Sequence, residues 1–152
     1  MLIEDDAGLR RVLTAGRVIA VVGLSADSSR PSYGVGKYLL GSGYRVIPVN
    51  PKETEILGQK CYACLADIPL PVDIVDCFRR SEDIPSIAEE AIAIGARTLW
   101  LQLGIHNEGA EQRALAAGLD VVVDRCVKIE HARLIGGLRP AGSSTRAPSR
   151  EG

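Results

Sequence analysis

With 152 residues, 24% of them charged, and a formal net charge of −1, the chain has the size and balance of one globular domain. That balance supplies no field to recruit nucleic acid or an anionic membrane, so an anionic ligand must be held by local geometry and one or two cations. Four cysteines are too few for a disulfide scaffold and point to a reducing cytoplasm, and neither a secretory leader nor an apolar run of ~18 residues is expected.

In chain order, Asp5 or Asp6 caps a first helix whose apolar stripe is Leu9, Val12 and Leu13, with Gly16 ending it. Val18-Ile19-Ala20-Val21-Val22 is apolar without alternation, as a strand covered on both faces should be. It breaks at Gly23 into a small polar loop, and an amphipathic helix follows from about Gly34 to Leu40, closed by Gly41 or Gly43. Tyr44 to Val49 forms a second strand, stopped by Asn50-Pro51. Residues 52–71 are the least regular: Ile56-Leu57-Gly58 reads as a turn, Lys60-Cys61-Tyr62 as a short extended piece, and Pro69 and Pro71 punctuate the rest.

The third strand is Val72 to Phe78. A helix then begins at Ser81 or restarts at Pro85, with Ile87, Ala91 and Ile94 on one face and Gly95 at its end. Thr98–Leu101 is the fourth strand, Asn107–Ala117 a helix closed by Gly118, Val121–Val123 the fifth strand, and Cys126–Leu134 a last helix. Residues 1–135 are expected to form the domain, and the Gly-, Pro-, Ser- and Arg-rich tail 136–152 to be disordered.

Five strands separated by helices or irregular crossovers specify an α/β fold: a Rossmann-like, doubly wound, mainly parallel sheet with helices on both faces. The expected strand order is 3-2-1-4-5, with a ligand crevice at the carboxyl ends of strands one and four. The polar residues that follow the strands then gather on one rim.

The stretch between the first strand and its helix has the build of a phosphate site. Small residues let backbone N–H groups approach an anion, and the helix N-terminus adds partial positive charge. A dinucleotide fingerprint needs G-x-G-x-x-G here and an acid after strand two. Gly23 is instead followed by Leu24-Ser25-Ala26-Asp27, and strand two ends at Asn50-Pro51-Lys52. Both departures argue against NAD; a cation at that place suits an additional ribose phosphate.

Three runs, Val22-Gly23-Leu24-Ser25, Arg30-Pro31-Ser32-Tyr33-Gly34-Val35 and Tyr44 to Pro51, resemble the small bacterial CoA-binding proteins. Trp100 to Ile105 and Asp124 to His131 resemble the same family, so the likeness spans about residues 9–134. The family is similar to the CoA-binding domain of the succinyl-CoA synthetase α subunit and of ADP-forming acyl-CoA synthetases. The resemblance implies that Gly23, Ser25, Ala26, Asp27 and Ser28 hold CoA phosphates, with Gly34 in the helix that follows. It implies that Lys52, after the Asn50-Pro51 turn, meets the 3′-phosphate, that Phe78 and Arg79 flank adenine and phosphates, and that Gln102 lies along the pantetheine arm. Arg30 is either a further cation or a solvated loop residue.

The remaining candidates read as structure. Cys61-Tyr62-Ala63-Cys64 has C-x-x-C spacing without a second pair or matching histidines, so apolar packing is expected rather than a metal. Cys77 and Trp100 read as core, and Cys126 lies at the rim near a helix start, where a disulfide with the CoA thiol is conceivable. His106 and His131 read as hydrogen-bonding residues, and no nucleophile, base and orienter can be assembled. The synthetase α subunit carries its phosphorylated histidine on a second domain, beyond the matched length. The expected function is therefore CoA or acyl-CoA binding without catalysis. The alternatives are an NAD(P)-dependent oxidoreductase, or a non-catalytic subunit of an acyl-CoA synthetase-like complex that needs a protein partner.

Overall fold

The computed structural model describes residues 1–136, so the expected disorder of the tail beyond Gly136 lies outside the described residues. Five parallel strands form the sheet: β1 (Val18–Val22), β2 (Arg45–Val49), β5 (Ile74–Cys77), β6 (Thr98–Leu101) and β7 (Asp120–Val122). A small antiparallel hairpin, β3 (Glu55–Ile56) and β4 (Gln59–Lys60), occupies the irregular stretch. Leu57 and Gly58, both at positive φ, form its two-residue turn. One face of the sheet carries α1 (Asp6–Ala15), α2 (Pro31–Gly41) and α5 (Val127–Leu134). The other carries α3 (Ile84–Ala93) and α4 (Glu108–Ala116). The sheet is thus doubly wound, and its central strands are buried on both sides, as their mostly apolar runs suit, with Asp76 in β5 and Thr98 in β6 the polar residues among them.

Local chemistry explains the helix ends. Asp5 caps α1, its Oδ1 accepting the Gly8 N–H at 2.8 Å, and Leu9, Val12 and Leu13 are buried beneath it. Asn107 caps α4 by accepting from Ala110 N, while Glu111 accepts the Asn107 N–H in return. Helix α2 begins earlier than the apolar pattern indicates, because Pro31, with its fixed φ and no N–H, is suited to the first helical position. A 3-10 turn, Ser81–Asp83, precedes α3, in which Pro85 stands within the first turn.

The strand order differs from expectation. It is β2-β1-β5-β6-β7, with the third long strand beside the first and not outside the second. Two features explain the difference. Pro48 lacks the N–H that a central strand donates, which marks β2 as an edge. The edge is then covered locally, since Asn50 N donates to Tyr62 O and Tyr62 N to Pro48 O. Asp73 locks the alternative in place: its Oδ2 accepts from Arg17 N and Val18 N at 2.8 and 2.9 Å, holding β5 in register beside β1. The topological switch point, and with it the crevice, therefore lies between β1 and β5, not between strands one and four. At the opposite edge the N-terminus pairs with β7, where Ile3 N donates to Val121 O and Val121 N to Met1 O.

Candidate functional site

At the switch point, Gly23 leaves β1 with φ +89°, and its N–H donates to Val49 O. A Cβ here would lie 2.6 Å from Phe78 O and 3.3 Å from Arg79 Cδ. Close approach of the β1 and β5 loops thus demands glycine. Beyond it, Ser25 Oγ accepts from Asp27 N, and the Ser25 N–H donates to the Ser32 hydroxyl, buried in the first turn of α2. Asp27 Oδ1 accepts from both the N–H and the hydroxyl of Ser29, and these bonds hold its carboxyl below the ordinary range. The Asp27 carboxylate shapes the loop from within and carries a charge that repels phosphate.

The backbone left over points to an anion. Among the described residues, the N–H groups of Ala26, Ser28 and Ser32 have no acceptor in the chain. They lie in one loop and the first turn of α2, where the helix dipole adds to their charge. Arg30 supplies the backbone cap of that helix, and its exposed side chain makes no ion pair. Lys52 and Arg79 likewise form no ion pair or side-chain hydrogen bond among the described residues.

Asn50 is placed differently from its neighbours. Its Nδ2 donates to Leu24 O at 3.0 Å and its Oδ1 accepts from Lys52 N at 2.9 Å. The side chain ties the β1 loop to the turn bearing Lys52. Pro51 and Lys52 are exposed beyond it.

A cleft of about 330 Å³ opens on the α3 side of the crevice. That volume is at the low end for small-molecule sites. Val22, Val49, Leu65 and Ile87 form its apolar walls, with Pro51 and Arg79 on the rim. Glu90, also lining it, accepts the Leu65 N–H, and Ser86 donates to Asp83 O. The half-buried Arg79 is the cleft's cation, and it shares the lining with the Asp83 and Glu90 carboxylates, of which Asp83 lies 3.6 Å from Arg80. Leu65, Asp83, Ser86 and Glu90 escaped the sequence reading, and Cys64 was read as packing, because they belong to the irregular crossover, the 3-10 turn and α3, which reach the crevice only through the β2-β1-β5 order.

Phe78 and Arg79 separate at the end of β5. Phe78 packs against the core beneath α1, α2 and α5, whereas Arg79 turns to the cleft. Gln102, at the end of β6, is only 6% exposed, and its Oε1 accepts the first N–H of α5, from Val127, at 3.1 Å. It joins β6 to α5, apart from the cleft lining. Gly34 stands in α2, where an added Cβ would meet nothing within 4 Å.

The other candidates are structural in this fold. Cys77 and Trp100 are fully buried, and the Trp100 indole donates to Arg125 O. All four cysteines are free thiols, and among the described residues no three His, Cys, Asp or Glu side chains gather to hold a metal. His131 is buried between Tyr38 and Tyr44, its Nδ1 2.8 Å from the Tyr38 hydroxyl, and burial holds its pKa below the ordinary value. His106 is exposed, 4.0 Å from Asp124. Among the described residues no helix is long and apolar enough to cross a membrane.

Comparison with known proteins agrees with this geometry. The chain is 43% identical over 128 residues to the uncharacterized protein YneT of Bacillus subtilis, covering 84% of this chain and 95% of that one. The solved structure of a hypothetical protein from Pyrococcus horikoshii OT3 superposes with a TM-score of 0.86 at 42% identity, covering 88% of this chain and 94% of that one. A 72-residue stretch is 29% identical to an ADP-forming acetate–CoA ligase of Methanocaldococcus jannaschii, and takes in 47% of this chain and 10% of that enzyme. The CoA binding domain family matches residues 17–132, from the start of β1 into α5, and the chain belongs to that family.

Proposed function

We propose that this chain binds coenzyme A or an acyl-CoA as a cytoplasmic binding protein, with no catalytic group of its own. The observation that carries the reading is the set of unused anion partners at the switch point: the free N–H groups of Ala26 and Ser28 in the β1 loop and of Ser32 in the first turn of α2, with Lys52 and Arg79 unpaired among the described residues. CoA carries a diphosphate and a ribose phosphate, and a helix N-terminus with separate cations matches that distribution. In this reading the β1 loop and α2 take the diphosphate, Lys52 the 3′-phosphate, and the cleft beneath Arg79 the base. NAD fits less well, because β2 ends in an amide already bonded to Leu24 O, with no carboxylate there for a ribose diol. Likeness to a tenth of an ADP-forming ligase supports a second reading, in which a partner chain supplies catalysis.

Titration calorimetry with CoA, dephospho-CoA and NAD tests the proposal. CoA is expected to bind best, and Lys52→Ala to weaken CoA about tenfold while sparing dephospho-CoA, the value of one charged hydrogen bond. No heat with CoA overturns the reading; equal binding of dephospho-CoA by the native chain removes Lys52 from it. Recovery of an ATP-binding synthetase subunit with the chain from its own cells favours the second reading.

Gly34 gives a further check. Alanine at a glycine within a helix gains about 0.5–1 kcal/mol, and here the methyl meets no protein atom. Gly34→Ala is expected to raise the melting temperature and to weaken CoA binding, because the open space beside α2 is where the ligand approaches. A variant that is more stable and binds CoA as the native chain does would place the ligand elsewhere.

A further inference from the structure

We infer that Asn50, latched by the Cys61 thiol, is a positioning residue that holds Lys52 at a set distance from the phosphate loop and so makes the site selective for the ribose 3′-phosphate. The inference rests on the CoA reading above and assigns the origin of its selectivity.

Every polar atom of Asn50 is engaged. The side chain bridges Leu24 O and Lys52 N, the backbone N–H donates to Tyr62 O, and the backbone carbonyl accepts from both Cys61 Sγ and Glu53 N at 3.4 Å. The Cys61 N–H in turn donates to Thr54 O, closing the chain between the Lys52 turn and the β3–β4 hairpin. Cys61 is itself buried, at 8% exposed, and burial pushes its thiol pKa up, so it remains an S–H donor. The hairpin is anchored independently on α2: a Cβ at Gly36 would meet Leu57 Cδ1 at 3.2 Å and Leu24 Cδ1 at 3.0 Å. Leu24, to whose carbonyl Asn50 tethers the Lys52 turn, therefore packs on the same helix as the hairpin. The turn, the β1 loop and the start of α2 move as one body.

A lysine on a four-carbon stem discriminates little by itself, because its ammonium can follow a phosphate or turn to water. Held by a fixed turn, it meets the 3′-phosphate only when the diphosphate is already on the β1 loop, and less ordering remains to be done on binding. Asn50 contributes through Lys52 and Leu24 without touching the ligand.

The test measures the ratio of CoA to dephospho-CoA affinity in the native chain and in Asn50→Ala, Cys61→Val, Cys61→Ser and Lys52→Ala. A ratio divides out any general loss of folded protein or of diphosphate binding, which a merely structural role would produce. The native ratio is expected to be about tenfold. Asn50→Ala and Cys61→Val should each bring it to within about threefold of unity, and Cys61→Ser, which restores the second donor to Asn50 O beside Glu53 N, should return most of it. With Lys52→Ala in place, Asn50→Ala should change the ratio no further, as coupled residues do in a double-mutant cycle. A native ratio of one overturns the Lys52 assignment and this inference together. A native ratio near ten that survives Asn50→Ala or Cys61→Val, or that falls further on adding Asn50→Ala to Lys52→Ala, overturns this inference alone and leaves the CoA reading standing.

Discussion

Gly23→Ala is expected to destabilise the protein by about 2–4 kcal/mol and to abolish measurable CoA binding. Two costs add. At φ +89° a side chain strains the backbone by about 1–2 kcal/mol. The new methyl would also sit 2.6 Å from Phe78 O, a backbone atom that no rotamer change can remove. Relief requires the β1 and β5 loops to separate, which moves Arg79 away from the cleft and displaces the N–H groups that follow Gly23. Urea unfolding and calorimetry read the two effects, and a loss below about 0.5 kcal/mol would show that the loops separate freely. Gly34→Ala is its contrast: the same methyl, on the same loop-to-helix unit, with the opposite effect on stability.

The second large effect is at Asp76. The residue stands in register with Val21 and Trp100, whose side chains face the layer of α1, α2 and α5, so it points into that apolar layer. It is 0% exposed, and neither carboxyl oxygen has a hydrogen-bond partner. Burial raises its pKa well above the ordinary 3.8. A buried polar group without a partner costs about 1–3 kcal/mol, so Asp76→Val is expected to stabilise the fold by that amount near neutral pH.

The same carboxyl makes stability depend on pH. Below pH 3.8 it is protonated folded and unfolded, and its contribution is fully present. Above that, the unfolded chain has released the proton while the folded chain still holds it, so stability falls as pH rises, by at most ~1.4 kcal/mol per unit, until the raised folded pKa is passed. Asp76→Asn, which cannot ionise, should gain stability over the native chain progressively as pH rises. Denaturant curves for the three proteins from about pH 4 to 9 decide this. An Asp76→Asn protein that tracks the native chain at every pH would show that Asp76 finds a partner in solution.

Much of the site was legible because it depends on short-range rules. Gly23 announces a break after an apolar strand, Asp5 and Asn107 announce their helices, and Lys52 stands where a dinucleotide fingerprint has an acid. Pro48 also carried the strand order, since a proline within a central strand is a contradiction, but five alternating strands suggested the wrong switch point. Asp76 went unremarked, although an acid inside Ile74-Val75-Asp76-Cys77 must be buried wherever that strand is covered on both faces. Its lack of a partner was not visible, because partners come from elements distant in sequence.

The one-dimensional chain determined which long segments are strands and helices, most of their ends to within a few residues, and which loop is a candidate for an anion, because those outcomes follow from backbone sterics, caps and periodicity within a few residues. Only the tertiary structure decided what the polar residues do. Asn50 bridges Leu24 and Lys52 and Gln102 Oε1 accepts from Val127 N, ties between distant segments; Phe78 and Arg79, adjacent in sequence, part to opposite sides of the sheet. The cleft arises where β5 pairs with β1 and brings α3 beneath Pro51. Hydrogen-bond saturation and strand order depend on residues far apart along the chain, and they set which side chains remain free to meet a ligand.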